Sequence, residues 1–525
     1  MKSIPFTRLL NGMALCLSLT LANTAHAQQV TLSSSDGQFS ASGELVSFED
    51  GIYTVKTTLG NMQIAAETVS CSGDGCPTIA EPAPEFAIDV RFSGSDILGD
   101  GLMPLLISGY AASFNASIES LPTSDGSQVL ELIADEGYGE PIGVFQVDSS
   151  TTAVGFSELL EKETTVGMAS RRIDRVEARA LAQDGAGSMI ALEQEHIVAV
   201  DSLIVIVNPS NPVSSISMAD LASIYRGDIR NWSEVGGPNM PIVAYGRSEN
   251  SGTRATFDQN VFGALQPVQI ARIAGNNESM AAKVIATPGS IGFVGYAFIN
   301  NAKAVSLISQ CGITSNPDAF SSKTEEYLME RRLYLYTRED TINQPTSQFL
   351  DFALSTGADG VIEKSGYIGL GVDRISPEQA RARLQATIDD TSNAFERNLM
   401  RDMLLELFQW DRLSTTFRFA SGSNNLERKS VLDLDRLYEY LLNSPSGTRI
   451  AFVGFTDSDG VFSANQSLSV QRANQALTEL QARANGQLGH INFETFGFGE
   501  LSPADCNTSN EGKRINRRVE VWIRE

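Results

Sequence analysis

The chain has 525 residues, with 39 Lys and Arg against 63 Asp and Glu and a formal net charge of -24 at neutral pH. One core does not serve a chain of this length, so several domains are expected. So acidic a surface excludes nucleic acid as a partner, because a phosphate backbone needs a basic face.

Residues 1–27 read as a secretory signal peptide. Lys2 and Arg8 precede an apolar stretch from Leu9 to Leu21, and Ala25-His26-Ala27 is a small-x-small cleavage site. The stretch is too short and too interrupted for a membrane span. A lipoprotein reading at Cys16 is poor, because Leu15 stands where a small residue is wanted. Export permits disulfides. Cys71 and Cys76 flank a flexible Ser-Gly-Asp-Gly turn and are expected to pair locally; Cys311 and Cys506 either pair or stay free.

Residues 28–78 alternate apolar and polar positions between Asp-Gly and Leu-Gly turns, the pattern of a small β module. Residues 79–86, "IAEPAPEF", read as a Pro-rich linker. From 87 to 371, short apolar strands alternate with helical stretches, as in "SLIVIVNP" followed by "MADLASIYRG". That alternation predicts α/β architecture with mostly parallel sheets, whose ligands bind where strands end and helices begin. Residues 372–412 are charge-rich with apolar residues at helical spacing and read as a solvated helical linker. Residues 413–525 form a second α/β unit.

Three strand-to-helix junctions carry small hydroxyl residues: Ser93-Gly94-Ser95, Ser149-Ser150-Thr151-Thr152, and Ser251-Gly252-Thr253 flanked by Arg247 and Arg254. A helix start presents unpaired N–H groups and the positive end of the helix dipole, so it suits an anion without positive net charge. Arginine adds paired hydrogen bonds to a tetrahedral oxyanion. Plain N-capping by Ser and Thr is the alternative at each junction taken alone. Three such loops converging on one ligand would suit inorganic phosphate or a similar oxyanion.

The segments "VNPSNPVSSISMADLASIYRGDIRNWSEVGG", "YGRSENSGTRATF" and "ATPGSIGFVGYAF", with "GMASRRI" and "FLDFALSTGADGVIEKSGYIGL", resemble the periplasmic phosphate-binding proteins of phosphate ABC transporters in the same order. The resemblance implies a two-lobed binding protein with phosphate in the cleft. It places the ligand loops on Ser93, Gly94 and Ser95, on Ser149, Ser150 and Thr151, on Ser170 and Arg171, and on Arg247, Ser251, Gly252, Thr253 and Arg254. Two positions depart from the family. Ile97 stands where the first loop often has Thr, and Arg171 stands where some relatives have an Asp that accepts the ligand's proton. Selectivity for phosphate over sulfate is therefore left open, with Glu249 and Asp96 as candidate replacement acceptors.

Near the C-terminus, "GFTDSDG", "ANQSLSVQRANQAL" and "NRRVEVWI" resemble the OmpA-type peptidoglycan-binding domain. The resemblance implies that Asp457 and Arg472 hold the ammonium and carboxylate of diaminopimelate. Thr456, Asn465 and Leu468 would shape the pocket, and Arg517 and Arg518 would lie along the glycan or peptide. A calcium turn at Asp457-Ser458-Asp459-Gly460 lacks the later ligands of an EF-hand.

His196 and His490 are isolated, so neither metal site nor cofactor is expected. There is no HExxH, G-x-S-x-G or Walker A sequence, and the chain reads as a non-enzyme. The expected fold class is multidomain: a small all-β N-terminal module, a two-lobed α/β periplasmic-binding-protein domain, a helical linker and a C-terminal α/β OmpA-like domain. The expected function is a periplasmic phosphate receptor tethered to peptidoglycan or the outer membrane, with an ABC permease as a candidate partner. The alternative is a wall-anchored linker protein whose cleft has lost its ligand.

Overall fold

The computed structural model describes residues 29–34, 39–49, 51–73, 75–77, 87–121, 123, 126–134, 141–249, 251–263, 270, 272–379, 394–419 and 426–525. The expected signal peptide and Pro-rich linker lie outside the described residues. The chain divides into two units, Met1–Pro84 and Glu85–Glu525.

In the first unit, strands Gln29–Ser34, Ser40–Glu49, Ile52–Thr57, Gly60–Ala65 and Val69–Ser72 form one antiparallel sheet in the spatial order fourth, third, second, first, fifth. The period-2 alternation turns Val30, Leu32, Tyr53 and Val55 onto one buried face. Cys71 and Cys76 are disulfide-bonded, as the turn between them suggests.

In the second unit, two long antiparallel strands, Glu195–Val207 and Glu330–Thr337, run through both lobes of a central domain. The first lobe adds Val90–Ser95, parallel to both Pro141–Ser150 and Val166–Ala169, with Ala116–Leu121 and Gln128–Ala134 continuing the sheet antiparallel. Its core packs Val90, Phe92, Leu106, Phe145, Phe349 and Ile362. The second lobe has its own core, in which Phe257 stacks on Phe293 with ring centroids 4.0 Å apart. Two cores joined by two crossing strands make the domain two-lobed, as expected.

The C-terminal sheet runs Arg374–Ile375, Asp411–Arg418, Arg518–Arg524, Arg449–Gly454, Asn492–Gly497. Helices Arg428–Leu442 and Phe462–Ala484 pack Leu434, Leu437, Ala473 and Leu480 against it. Here the solvated-linker expectation for 372–412 needs correction. Arg374–Ile375 is an edge strand of this sheet, and helix Ala394–Leu407 buries Met400, Met403 and Leu407 against Ala451, Val453 and Trp522. The apolar residues at helical spacing are a second core face, so the described parts of this segment belong to the C-terminal domain. Among the described residues, no helix is long and apolar enough to cross a membrane.

Candidate oxyanion cleft and peptidoglycan site

The parallel strands of the first lobe all end at one edge, and the helices that follow begin there. Gly94 sits at φ +131°, and a Cβ on it would lie 2.2 Å from the Met168 carbonyl oxygen. Only glycine lets Val90–Ser95 pass that close to its neighbour. Thr151 caps helix Thr152–Glu161 through Val154 N, and Ser251 caps helix Gly252–Phe262 through Arg254 N at 3.3 Å. The capping reading therefore holds at both junctions. It does not compete with ligand binding, since both helices still begin at the cleft.

The lobes face each other across a cleft lined by Ser95, Ser150, Thr151 and Ser170 on one side and Ser251 and Gly252 on the other; it belongs to a cavity of about 1090 Å³ that Glu427, Lys429, Leu432, Glu511 and Arg514 of the C-terminal domain also line. A Cβ on Gly252 would stand 3.8 Å from Ser170 Oγ, so these loops approach closely. Ser170 N donates to Thr152 Oγ1 at 3.1 Å, and the two hydroxyls lie 3.3 Å apart. Ser93 Oγ, Ser95 Oγ and Arg247 Nε are buried without a hydrogen-bond partner. Buried polar atoms are rarely left so.

Other predicted residues sit elsewhere. Ser149 alternates away from Ser150 and meets Gly99, whose added Cβ would lie 2.2 Å from Ser149 Oγ. Thr253 is buried behind the helix start. Arg254 is also buried; its Nε bonds both Asp258 oxygens at 2.7 and 2.8 Å, a partner one helical turn away, and its Nη1 donates to Arg247 O. It braces the loop rather than lining the cleft. Arg171 does line the cleft, but both its Nη groups are held by Glu177 at 2.6 and 2.8 Å. Arg247 donates through Nη1 to Asn277 Oδ1 at 3.1 Å.

Sequence reasoning gave Asp96 a minor place and missed Thr256 and Arg331, which line the cleft together with Thr152. Asp96 accepts from Ile97 N at 2.9 Å. Burial pushes its carboxyl up, and Arg247 and Arg331 nearby oppose this only in part. Arg247 is pulled down by the same burial, with Asp96 opposing. Arg331 Nε is held by Asp201 at 2.9 Å. The Glu-Arg-Arg start of strand Glu330–Thr337 was the available signal for Arg331, but spacing alone does not say that this strand crosses the cleft.

In the C-terminal domain, Asp457 Oδ2 pairs with Arg517 Nη1 at 2.8 Å, and Asn465 Nδ2 reaches Asp457 O at 3.4 Å. Arg472 is 3% exposed, its Nε and Nη1 lack hydrogen-bond partners, and burial lowers its pKa to about 10, so it stays charged. Thr456 Oγ1 is also buried and unpartnered, and Leu468 is half-buried. Asp457, Arg472 and Arg517 thus form one charged group. Arg518 is corrected: strand alternation turns it inward, fully buried, onto Glu520 and the Ser502 carbonyl, out of reach of any glycan.

Residues 123–356 match the PBP superfamily domain, and residues 418–517 match the OmpA family. The phosphate-binding protein PstS of Bacillus subtilis is 29% identical over 252 residues, covering 47% of this chain and 78% of that protein. Outer membrane porin F of Pseudomonas aeruginosa is 33% identical over 112 residues, 21% of this chain and 31% of that protein. A solved phosphate transport receptor from Vibrio cholerae aligns at 22% identity and a TM-score of 0.39, covering 53% of this chain and 99% of that one. The chain carries a PBP-like domain similar to phosphate-binding proteins, followed by an OmpA family domain.

Proposed function

We propose that this chain is an exported receptor that holds inorganic phosphate, or a similar tetrahedral oxyanion, between its lobes and is fixed to peptidoglycan by its OmpA domain. The observation that carries the reading is convergence: hydroxyls and two helix starts from separate lobes meet on one cleft beside buried, unpartnered Ser95 Oγ and Arg247 Nε. Such donors suit a small anion in an acidic protein, because amide dipoles and local guanidinium groups supply the field. Asp96 supplies the missing acceptor. A carboxylate among donors favours a ligand that still carries a proton, which phosphate does at neutral pH and sulfate does not. The similarity to phosphate-binding proteins supports the same ligand. In the OmpA domain, Asp457 and Arg472 would take the ammonium and carboxylate of diaminopimelate, and Arg517 would release Asp457 on binding.

Calorimetry of the full chain with phosphate and with sulfate tests the reading. Tight phosphate binding with weak sulfate binding is expected. Equal affinities would sink the role of Asp96, and no heat with either anion would leave a wall-anchored protein without an oxyanion site.

A further inference from the structure

The OmpA domain touches both lobes, and it does so beside the hinge. To the second lobe it is attached covalently, through Cys311–Cys506. The same side carries buried ion pairs: Arg412 with Glu326 at 2.6 Å and Arg514 with Glu325 at 2.8 Å, while Arg418 Nη2 donates to Thr324 O at 2.6 Å. Glu325 is at the centre, with Arg332 of the crossing strand and Lys429 of the OmpA domain also facing it. To the first lobe the attachment is smaller. Arg436 Nη1 bonds both Asp359 oxygens at 3.0 and 2.8 Å, its Nη2 donates to Leu354 O at 3.0 Å, and Leu432 packs against the Phe156–Tyr336 cluster.

Between these two attachments, Val200 of a crossing strand, Lys323, Gly371, Ser414 and Arg436 line one small pocket. The OmpA domain therefore spans the joint about which the lobes must rotate. Two-lobed proteins close on ligand by such rotation, with a few connecting residues absorbing the change. In the state with the Arg436–Asp359 bridge made, the OmpA domain also lines the cleft, through Glu427, Lys429, Leu432, Glu511 and Arg514.

We propose that the OmpA domain is a brace across the hinge: it moves with the second lobe, and its Arg436–Asp359 bridge to the first lobe holds the lobes in the arrangement seen here. An interaction made in only one lobe arrangement shifts the equilibrium toward that arrangement and changes ligand affinity by the same factor. Lobe rotation on ligand binding must work against the bridge, so filling the cleft and seating the wall-binding domain are coupled in both directions. The inference deepens the receptor reading only through its affinity arm; the geometry of the lobes can be read without any ligand.

The test uses the full chain with nitroxides at Ser157→Cys and Asn260→Cys, exposed positions on the first and second lobes. Pulsed-EPR distances and phosphate calorimetry are compared between the braced chain and Arg436→Ala, with Asp359→Asn as the milder variant should the first fold poorly. The braced chain is expected to show one narrow interlobe distance. The variants should add a second interlobe distance and change phosphate affinity by about three- to thirtyfold. Distances unchanged by both variants would overturn the brace, even if phosphate binds normally. Absence of phosphate binding with the distance shift intact would instead overturn the receptor reading and keep the brace.

Discussion

Cys311 and Cys506 are 195 residues apart in sequence and joined by a disulfide, so the second lobe and the OmpA domain are one covalent body. A protease site engineered between residues 384 and 388 should therefore cut the chain without releasing either part. One species is expected on a non-reducing gel and two after reduction. Cys311→Ser with Cys506→Ser should cost about 2–4 kcal/mol, the usual range for removing a long-loop bridge, read as a lower denaturant midpoint.

His196 lies on the first crossing strand with Nε2 3.2 Å from Thr337 Oγ1. Burial lowers its pKa to about 4, below the ordinary value of about 6.5 in the unfolded chain. The depressed folded value means that this stabilisation is complete above pH 6.5 and is lost as pH falls toward 4. The loss amounts to about 3 kcal/mol across that window. Denaturation at pH 7 and pH 4.5 should show a smaller acid loss in His196→Gln than in the unaltered chain. An identical pH slope in both would refute the assignment.

Asp96→Asn removes the carboxylate that follows Ser95 at the first-lobe junction and lines the cleft. The ratio of phosphate to sulfate affinity should fall by about tenfold or more, since a buried acceptor bond to a charged ligand contributes about 1.5–3 kcal/mol. Glu249→Gln, at the rim of the same cleft, should leave the ratio unchanged. Competition calorimetry distinguishes the two carboxyls.

Gly94→Ala places a methyl 2.2 Å from the Met168 carbonyl at a φ that L residues avoid. A stability loss of about 2–4 kcal/mol is expected. Thermal melting with and without phosphate is the measurement, and a Tm within a degree of the parent would show that the strand relaxes freely.

Arg472→Ala and Asp457→Ala should each cut retention on purified peptidoglycan by about tenfold or more, because each removes a charge-assisted contact. Arg518→Ala should instead lower stability, as it removes the buried guanidinium paired with Glu520, which keeps only its other contacts, Arg412 and Trp522 among them. Sedimentation with insoluble peptidoglycan, run beside a thermal melt, separates binding from folding.

The order of domains, the α/β alternation, the helix caps at Thr151 and Ser251 and the local Cys71–Cys76 bridge were legible in the sequence. Each depends on residues a few positions apart, where periodicity, capping and turn chemistry act. What only the tertiary structure decided are the long-range partners. Strand pleat put Ser150 in the cleft and Ser149 outside it. Asp258 claimed Arg254, Glu177 claimed Arg171, and Arg517 paired with Asp457. Helix Ala394–Leu407 found a core to bury into, and Cys311 met Cys506. Spacing along the chain carries no term for these choices, because they are set by which surfaces the folded backbone brings within about 4 Å of each other.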